Sequence, residues 1–181
     1  MRGGLSTESI GSTSGISEHT NRLFGIVNTT LEPDHSTLVR RAAVSDGDTI
    51  ADFARAFHAE DNHPLSDAGM AGLLLMLEPG FPEGVVLLLE IDGAPQGYGV
   101  LSFCYGYEHG GPETFVEDIY VVPQWRSRGF GQILLAALED EARAAGRRAI
   151  HLEVMPGNRA ENWYRRQGWQ SRGSQLLTKP I

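Results

Sequence analysis

The chain has 181 residues, a length that suits one domain with some sequence to spare. Its 15 basic and 23 acidic side chains leave a formal charge of −8, which argues against a nucleic-acid partner, whose binders carry a basic footprint. No run of about 18 apolar residues is available to span a membrane, the first thirty residues lack the apolar core of a secretory signal, and the single cysteine, Cys104, excludes an internal disulfide and a cysteine-based zinc site. A cytoplasmic protein is therefore expected. Lys179 is the only lysine, a bias read as that of a GC-rich, bacterial-like genome.

Residues 1–36 are rich in Ser, Thr and Gly without helical or strand period, and are expected to form a flexible or loosely packed arm. The domain is expected over residues 37–181. Leu38–Ala42 reads as a first strand. Asp46 or Asp48 is the expected cap of a helix carrying Ile50, Phe53, Ala54 and Phe57 on one face. The polar loop His58–Pro64 follows. Ser66 or Asp67 then caps a second helix with Met70, Leu73, Leu74 and Leu77 inward. Val85–Ile91 and Gln96–Tyr105 are apolar runs joined by Asp92-Gly93, a hairpin signal. Cys104, in mid-strand, is expected to be a small buried side chain. Thr114–Val122 is a further strand, and Phe130, Ile133, Leu134, Ala137 and Leu138 form the buried stripe of a long helix that Gly146 stops. Ala149–Met155 is the next strand, Arg159–Gln167 a last helix, and Trp169–Thr178 one or two short strands. The order implies an α/β fold, a mixed central sheet with helices on both faces and a parallel crossover from Val116 to Val154.

Chemistry concentrates in Arg126-Ser127-Arg128-Gly129-Phe130-Gly131-Gln132, between a strand end and a helix start. The first-turn amides of a helix have no internal partner and the helix dipole adds positive character. Gly129 and Gly131 let a phosphate approach the backbone, and Arg126 and Arg128 add charge. A diphosphate fits, whereas a dinucleotide fold does not, because G-x-G-x-x-G is absent.

With this motif in place, the chain from about Thr37 to Lys179 resembles the GNAT superfamily of N-acetyltransferases. Asn158, Ala160, Tyr164, Gly168 and Trp169 are similar to that family's Asn…Ala…Tyr…Gly-aromatic segment. Phe115–Val121 and Trp163-Tyr164-Arg165-Arg166 are similar to the diamine (spermidine/spermine) branch. In the family the Asn usually lies seven residues before the Tyr; here Asn158 lies six before Tyr164, so the loop before the helix is one residue shorter, and the resemblance implies Asn158 at the cofactor.

The resemblance implies acetyl-CoA as co-substrate, with no metal. It implies a cleft where two parallel strands part, Ile119, Tyr120 and Val121 along the pantetheine arm, and Arg126–Gln132 at the diphosphate. Tyr164 would protonate the leaving thiolate. Glu117 would be the base for the acceptor amine, with its neighbour Asp118 as the alternative, since only one of two adjacent strand residues faces a cleft unless a bulge intervenes. Glu60 and Asp61 are expected at the mouth of the acceptor pocket, and a homodimer is expected by analogy. The implied activity is acetyl transfer to the primary amine of a small cationic molecule. A protein lysine or N-terminus is an alternative acceptor, and a CoA-binding module without turnover is an alternative of another class.

Overall fold

The computed structural model describes residues 35–155, 157–158 and 160–179. Nearly all of the expected arm, residues 1–34, lies outside the described residues; His35 and Ser36 do not, and both hydrogen-bond to Asp92. The elements are β1 (Thr37–Arg41), α1 (Gly47–Glu60), α2 (Asp67–Leu75), β2 (Gly84–Ile91), β3 (Ala94–Gly106), β4 (Gly111–Val121), α3 (Phe130–Ala144), β5 (Ala149–Leu152) and α4 (Ala160–Arg166), with single 3-10 turns at Val44–Asp46 and Pro123–Trp125. They build one sheet in the order β1-β2-β3-β4-β5. All neighbours are antiparallel except β4 and β5, which are parallel across the α3 crossover. No helix among the described residues is long and apolar enough to cross a membrane.

The unbroken apolar run of β2 follows from its central place, since both of its faces are covered. Val85, Leu87, Leu89 and Ile91 enter a core with Ile133, Leu134 and Leu138 of α3. Val86 and Leu88 enter a second core with Ile50, Ala54 and Leu73 of α1 and α2. Removing one such leucine from water contributes about 1.5–3 kcal/mol. Gly99 of β3 lets α3 lie close, because a Cβ there would stand 2.8 Å from Leu138 Cδ1. The hairpin forms as expected: Asp92 and Gly93 both have positive φ (53° and 77°), the twist that suits a two-residue antiparallel connection.

Polar ties set the helix positions. Ser66 Oγ accepts from the Gly69 amide at 3.1 Å and starts α2. Asp46 precedes α1, but its carboxylate accepts from Arg40 and from the Ala43 amide rather than capping that helix. Arg41 on β1 donates twice to the buried Glu141 of α3, at 3.0 and 2.6 Å, binding the edge strand to the crossover helix.

Three expectations differ. Trp169–Thr178 is not a strand: among the described residues it has no sheet partner, and Leu176 and Leu177 are exposed. β5 ends at Leu152 rather than Met155. Cys104 is exposed, because β3 runs on toward Gly106 past the cover of the helices.

Candidate active site

The cleft is a property of β4. Its register with β5 runs from Glu113–Ala149 to Val116–Leu152 and stops. β4 continues to Val121 paired only with β3, so the edge from Glu117 to Val121 is left without a strand partner where β5 departs. A bulge sits at the junction. Val100 faces Asp118 across the ladder while Leu101 faces Val116, which makes Glu117 the extra residue. Val116, Ile119 and Val121 belong to the α3-side core, whereas Tyr98 and Tyr120 belong to the other. The bulge therefore turns both Glu117 and Asp118 toward the α1 side, which simple strand alternation forbids.

At the end of this edge the chain turns into α3. Ser127 and Gly129 take positive φ (60° and 90°), and Gly129 O accepts from Gln132 and Ile133. Among the described residues no acceptor meets the amides of Ser127, Arg128, Gly129, Phe130 and Gly131. A Cβ on Gly131 would meet the Trp163 ring at an ordinary contact distance of 3.9 Å. Trp125 pins the loop by packing edge-on to Phe130 and His35, with the Arg128 guanidinium 5.2 Å over its ring. The result is a row of donors at a helix start, suited to a polyanion.

Arg126 is directed away from that row. Its Nε donates to the Val121 carbonyl at 2.7 Å, its Nη2 donates to Glu60 at 2.8 Å, and its guanidinium lies 5.2 Å from the Tyr120 ring centre. The ion pair joins the expected phosphate loop to the expected acceptor mouth, since Glu60 ends α1 and Asp61 follows it.

The adjacent carboxylates differ in setting. Glu117 is exposed and accepts from Ser102 Oγ. Asp118 is buried, accepts from Tyr98 Oη at 2.6 Å, and lies 3.8 Å from His58 Nε2. Burial raises the Asp118 pKa above the carboxylate range, against the opposing hydrogen bond from Tyr98 and the charge of His58. Burial likewise pushes the Tyr98 hydroxyl far above the phenol range.

α4 brings Tyr164 beside the α3 start. Its ring packs between Trp163 and Trp169, with centroids 4.7 and 5.9 Å away. It is 8% exposed, and burial pushes its pKa up to about 12. Asn158 Oδ1 accepts from the Ala160 amide at 2.9 Å, so this side chain is engaged at the start of α4.

The structure thus brings Glu117, Asp118, Glu60, Asp61 and Arg126 to the α1 side of β4, and Ile119–Val121 and Ser127–Gln132 along its free edge and end. Sequence reading missed the roles of Tyr98, His58 and Ser102. Each acts through a cross-strand or helix-to-strand contact that linear spacing does not encode.

Residues 48–169 match the family model described as Acetyltransferase (GNAT) family. An aminoglycoside N(6')-acetyltransferase type 1 from Stenotrophomonas maltophilia is 38% identical over 72 residues, 38% of this chain and 47% of that protein. A thialysine N-epsilon-acetyltransferase from Bos taurus is 33% identical over 92 residues, 48% of this chain and 54% of that protein. The chain spans about half the length of these curated relatives. Among solved structures, an integron cassette protein from the Cole Harbour Salt Marsh metagenome superposes with a TM-score of 0.67 at 28% identity over 79% of this chain and 90% of that one. An aminoglycoside N-acetyltransferase solved in complex with CoA gives 0.70 at 16% identity over 81% and 96%, a likeness of fold. With a family model covering most of the domain and the cleft in place, the chain belongs to the GNAT family of acetyltransferases.

Proposed function

We propose that the chain transfers an acetyl group from acetyl-CoA to the primary amine of a small cationic molecule. The observation that carries this reading is the free edge of β4 running into the unpaired amides of Ser127–Gly131. An extended arm can pair with the edge while its diphosphate meets the amides. When bound, acetyl-CoA supplies an acetyl group already activated as a thioester. Ile119, Tyr120 and Val121 hold the arm; Arg126, Ser127, Arg128, Gly129, Phe130, Gly131 and Gln132 hold the diphosphate, the charge of Arg126 becoming available if Glu60 releases it. Asn158 would reach the cofactor by releasing the Ala160 amide from which its side chain now accepts.

Tyr164 Oη holds a proton at neutral pH, since burial keeps its pKa near 12, and delivers it to the departing sulfur. An alkylammonium, with a pKa of about 10, must lose a proton before its nitrogen attacks. Glu117 is the base: it is exposed on the α1 side and, among the described residues, bonded only by Ser102 Oγ. Asp118 keeps a second carboxyl beneath it, held by Tyr98. The relatives named for aminoglycoside N(6') and thialysine N-epsilon acetylation support an amine acceptor.

Thiol release from acetyl-CoA, measured over a panel of polyamines, aminoglycosides, amino acid derivatives and lysine peptides, tests the reading. Turnover with small amines is expected. Turnover with peptides alone would move the acceptor to proteins, and CoA binding without release would make the chain a non-catalytic binder.

A further inference from the structure

A cluster outside the acetyl-transfer site has the donor set of a metal centre. His109 lies in the β3–β4 turn, Glu113 on β4 and His151 on β5, and their ligand atoms all lie within 4.8 Å of one another. His109 Nδ1 is 2.8 Å from Glu113 Oε1, and His151 Nε2 is 3.1 Å from Glu113 Oε2. The Glu113 side chain is buried, and its carboxylate lies against the end of β3, where Gly106 leaves it room that a Cβ would take. The ring of Phe115 lies 5.0 Å from that of His151 and walls one side. Three elements thus aim two imidazole nitrogens and one carboxylate at a common point.

We propose that His109, Glu113 and His151 form a binding site for a divalent transition metal of the zinc class. Two imidazoles and a carboxylate are a borderline-soft donor set that favours zinc over magnesium or calcium, which prefer oxygen cages. Tetrahedral bonds of about 2.0–2.1 Å place ligand atoms roughly 3.3 Å apart, so the present spread needs only a small contraction. His109 supplies it: it is exposed, and the turn that carries it contains Gly110 at positive φ. Coordination is through His109 Nδ1, His151 Nε2 and a Glu113 oxygen. Coordination by each imidazole requires the tautomer that carries its proton on the other ring nitrogen. One coordination position stays open. The ion ties the β3–β4 turn to β5 at the Glu113–Ala149 pairing, on the paired side of the point where β5 leaves β4. No spacing in the sequence announces the site, because its ligands come from three separate segments.

Zinc(II) titrated into the untagged full-length chain, in competition with a chromophoric chelator, tests the proposal. One ion per chain is expected, with an unfolding temperature that rises on loading. His109→Ala and His151→Ala are each expected to weaken binding by about ten-fold or more and to shrink the zinc-induced rise in unfolding temperature, each variant being compared with itself in EDTA because the loss of a partner to the buried Glu113 lowers the metal-free value. A wild-type chain that takes up no zinc, or variants that take it up as well as the wild type, would overturn the site and leave three residues joined by hydrogen bonds alone. Both readouts are independent of acetyl transfer, so the two proposals fail separately.

Discussion

The two halves of β4 share a strand but not a job. From Glu113 to Val116 the backbone is paired on both sides, to β3 and to β5. From Asp118 to Val121 it is paired on one side only, with Glu117 bulged out of the register between them. The first half is a structural joint, with Val116 and Thr114 buried and the Thr114 hydroxyl donating to the Ser102 carbonyl at 2.6 Å. The second is an open edge, which the proposed function makes the binding edge, and the bulge at Glu117 separates them. A sheet can therefore carry a cleft without a dedicated loop, by ending one neighbour early and adding one residue to the strand that remains.

The largest expected effect tests the joint. Leu101 is fully buried and stands opposite Val116. Leu101→Ala should cost about 2–5 kcal/mol of stability through the cavity it leaves. In urea unfolding the loss should be plain, while kcat per folded molecule stays within about two-fold, too small a change to reflect a lost transition-state contact. A parallel collapse of kcat would show that the halves are not separable. The reverse pattern is expected on the open side. Tyr164→Phe should lower kcat by about ten-fold or more, equivalent to about 1.4 kcal/mol or more of barrier, with little change in melting temperature because only a hydroxyl is lost. Glu117→Gln should do the same, read as kcat across pH 6–9; an unchanged profile would remove Glu117 as the base.

Much of the joint was legible in the sequence and much of the edge was not. The apolar run Val85–Leu89, the Asp92-Gly93 turn and the stripe Phe130–Leu138 each carry a local period or a local backbone requirement, so they announce sheet, hairpin and helix. The Arg126–Gly131 segment announces an anion site for the same reason. The bulge does not announce itself: it is a register difference between two strands, and from the sequence only one of Glu117 and Asp118 should face the cleft. The target of Arg126 was equally hidden, since Glu60 reaches it across 66 positions of chain. Trp169–Thr178 shows the converse failure. Its residues suit a strand, but a strand needs an edge to pair with, and among the described residues none is offered.

A smaller effect sharpens the contrast between Glu117 and Asp118. The Asp118 pKa is raised in the folded protein, chiefly by burial. Such a group contributes its stability below the ordinary carboxylate range and loses it as pH rises through the raised folded value. Asp118→Asn removes the cost of burying the charge and keeps an acceptor for Tyr98. The melting temperature of the variant relative to wild type should therefore climb as pH rises from about 3.5 through the raised value and then level off, the lower bound lying just below the ordinary Asp pKa. A difference that is flat with pH would mean that Asp118 ionises in the fold as it does in the unfolded chain.

The smallest expected effect concerns the acidic balance of the whole chain. Its charge of −8 is divided locally. On the proposed function, Arg128 and the α3 start belong to the cofactor end, while Glu117, Asp118, Glu60 and Asp61 gather on the side of the acceptor. Glu60 is partly neutralised by Arg126 and Asp118 is buried, so Glu117 and Asp61 carry most of the exposed field there. Attraction of a cationic amine by so few exposed charges acts over about a Debye length, roughly 10 Å at 0.1 M salt. The acceptor kcat/KM should therefore fall by less than about ten-fold between low and high salt, the lower end of what steering by surface charge supplies. The fall should steepen with each added positive charge on the amine, and kcat at saturating acceptor should hardly move, because screening weakens encounter and not the proton transfer at Glu117. A rate that ignores salt for a multiply charged acceptor would leave Glu117 as a base without a steering field.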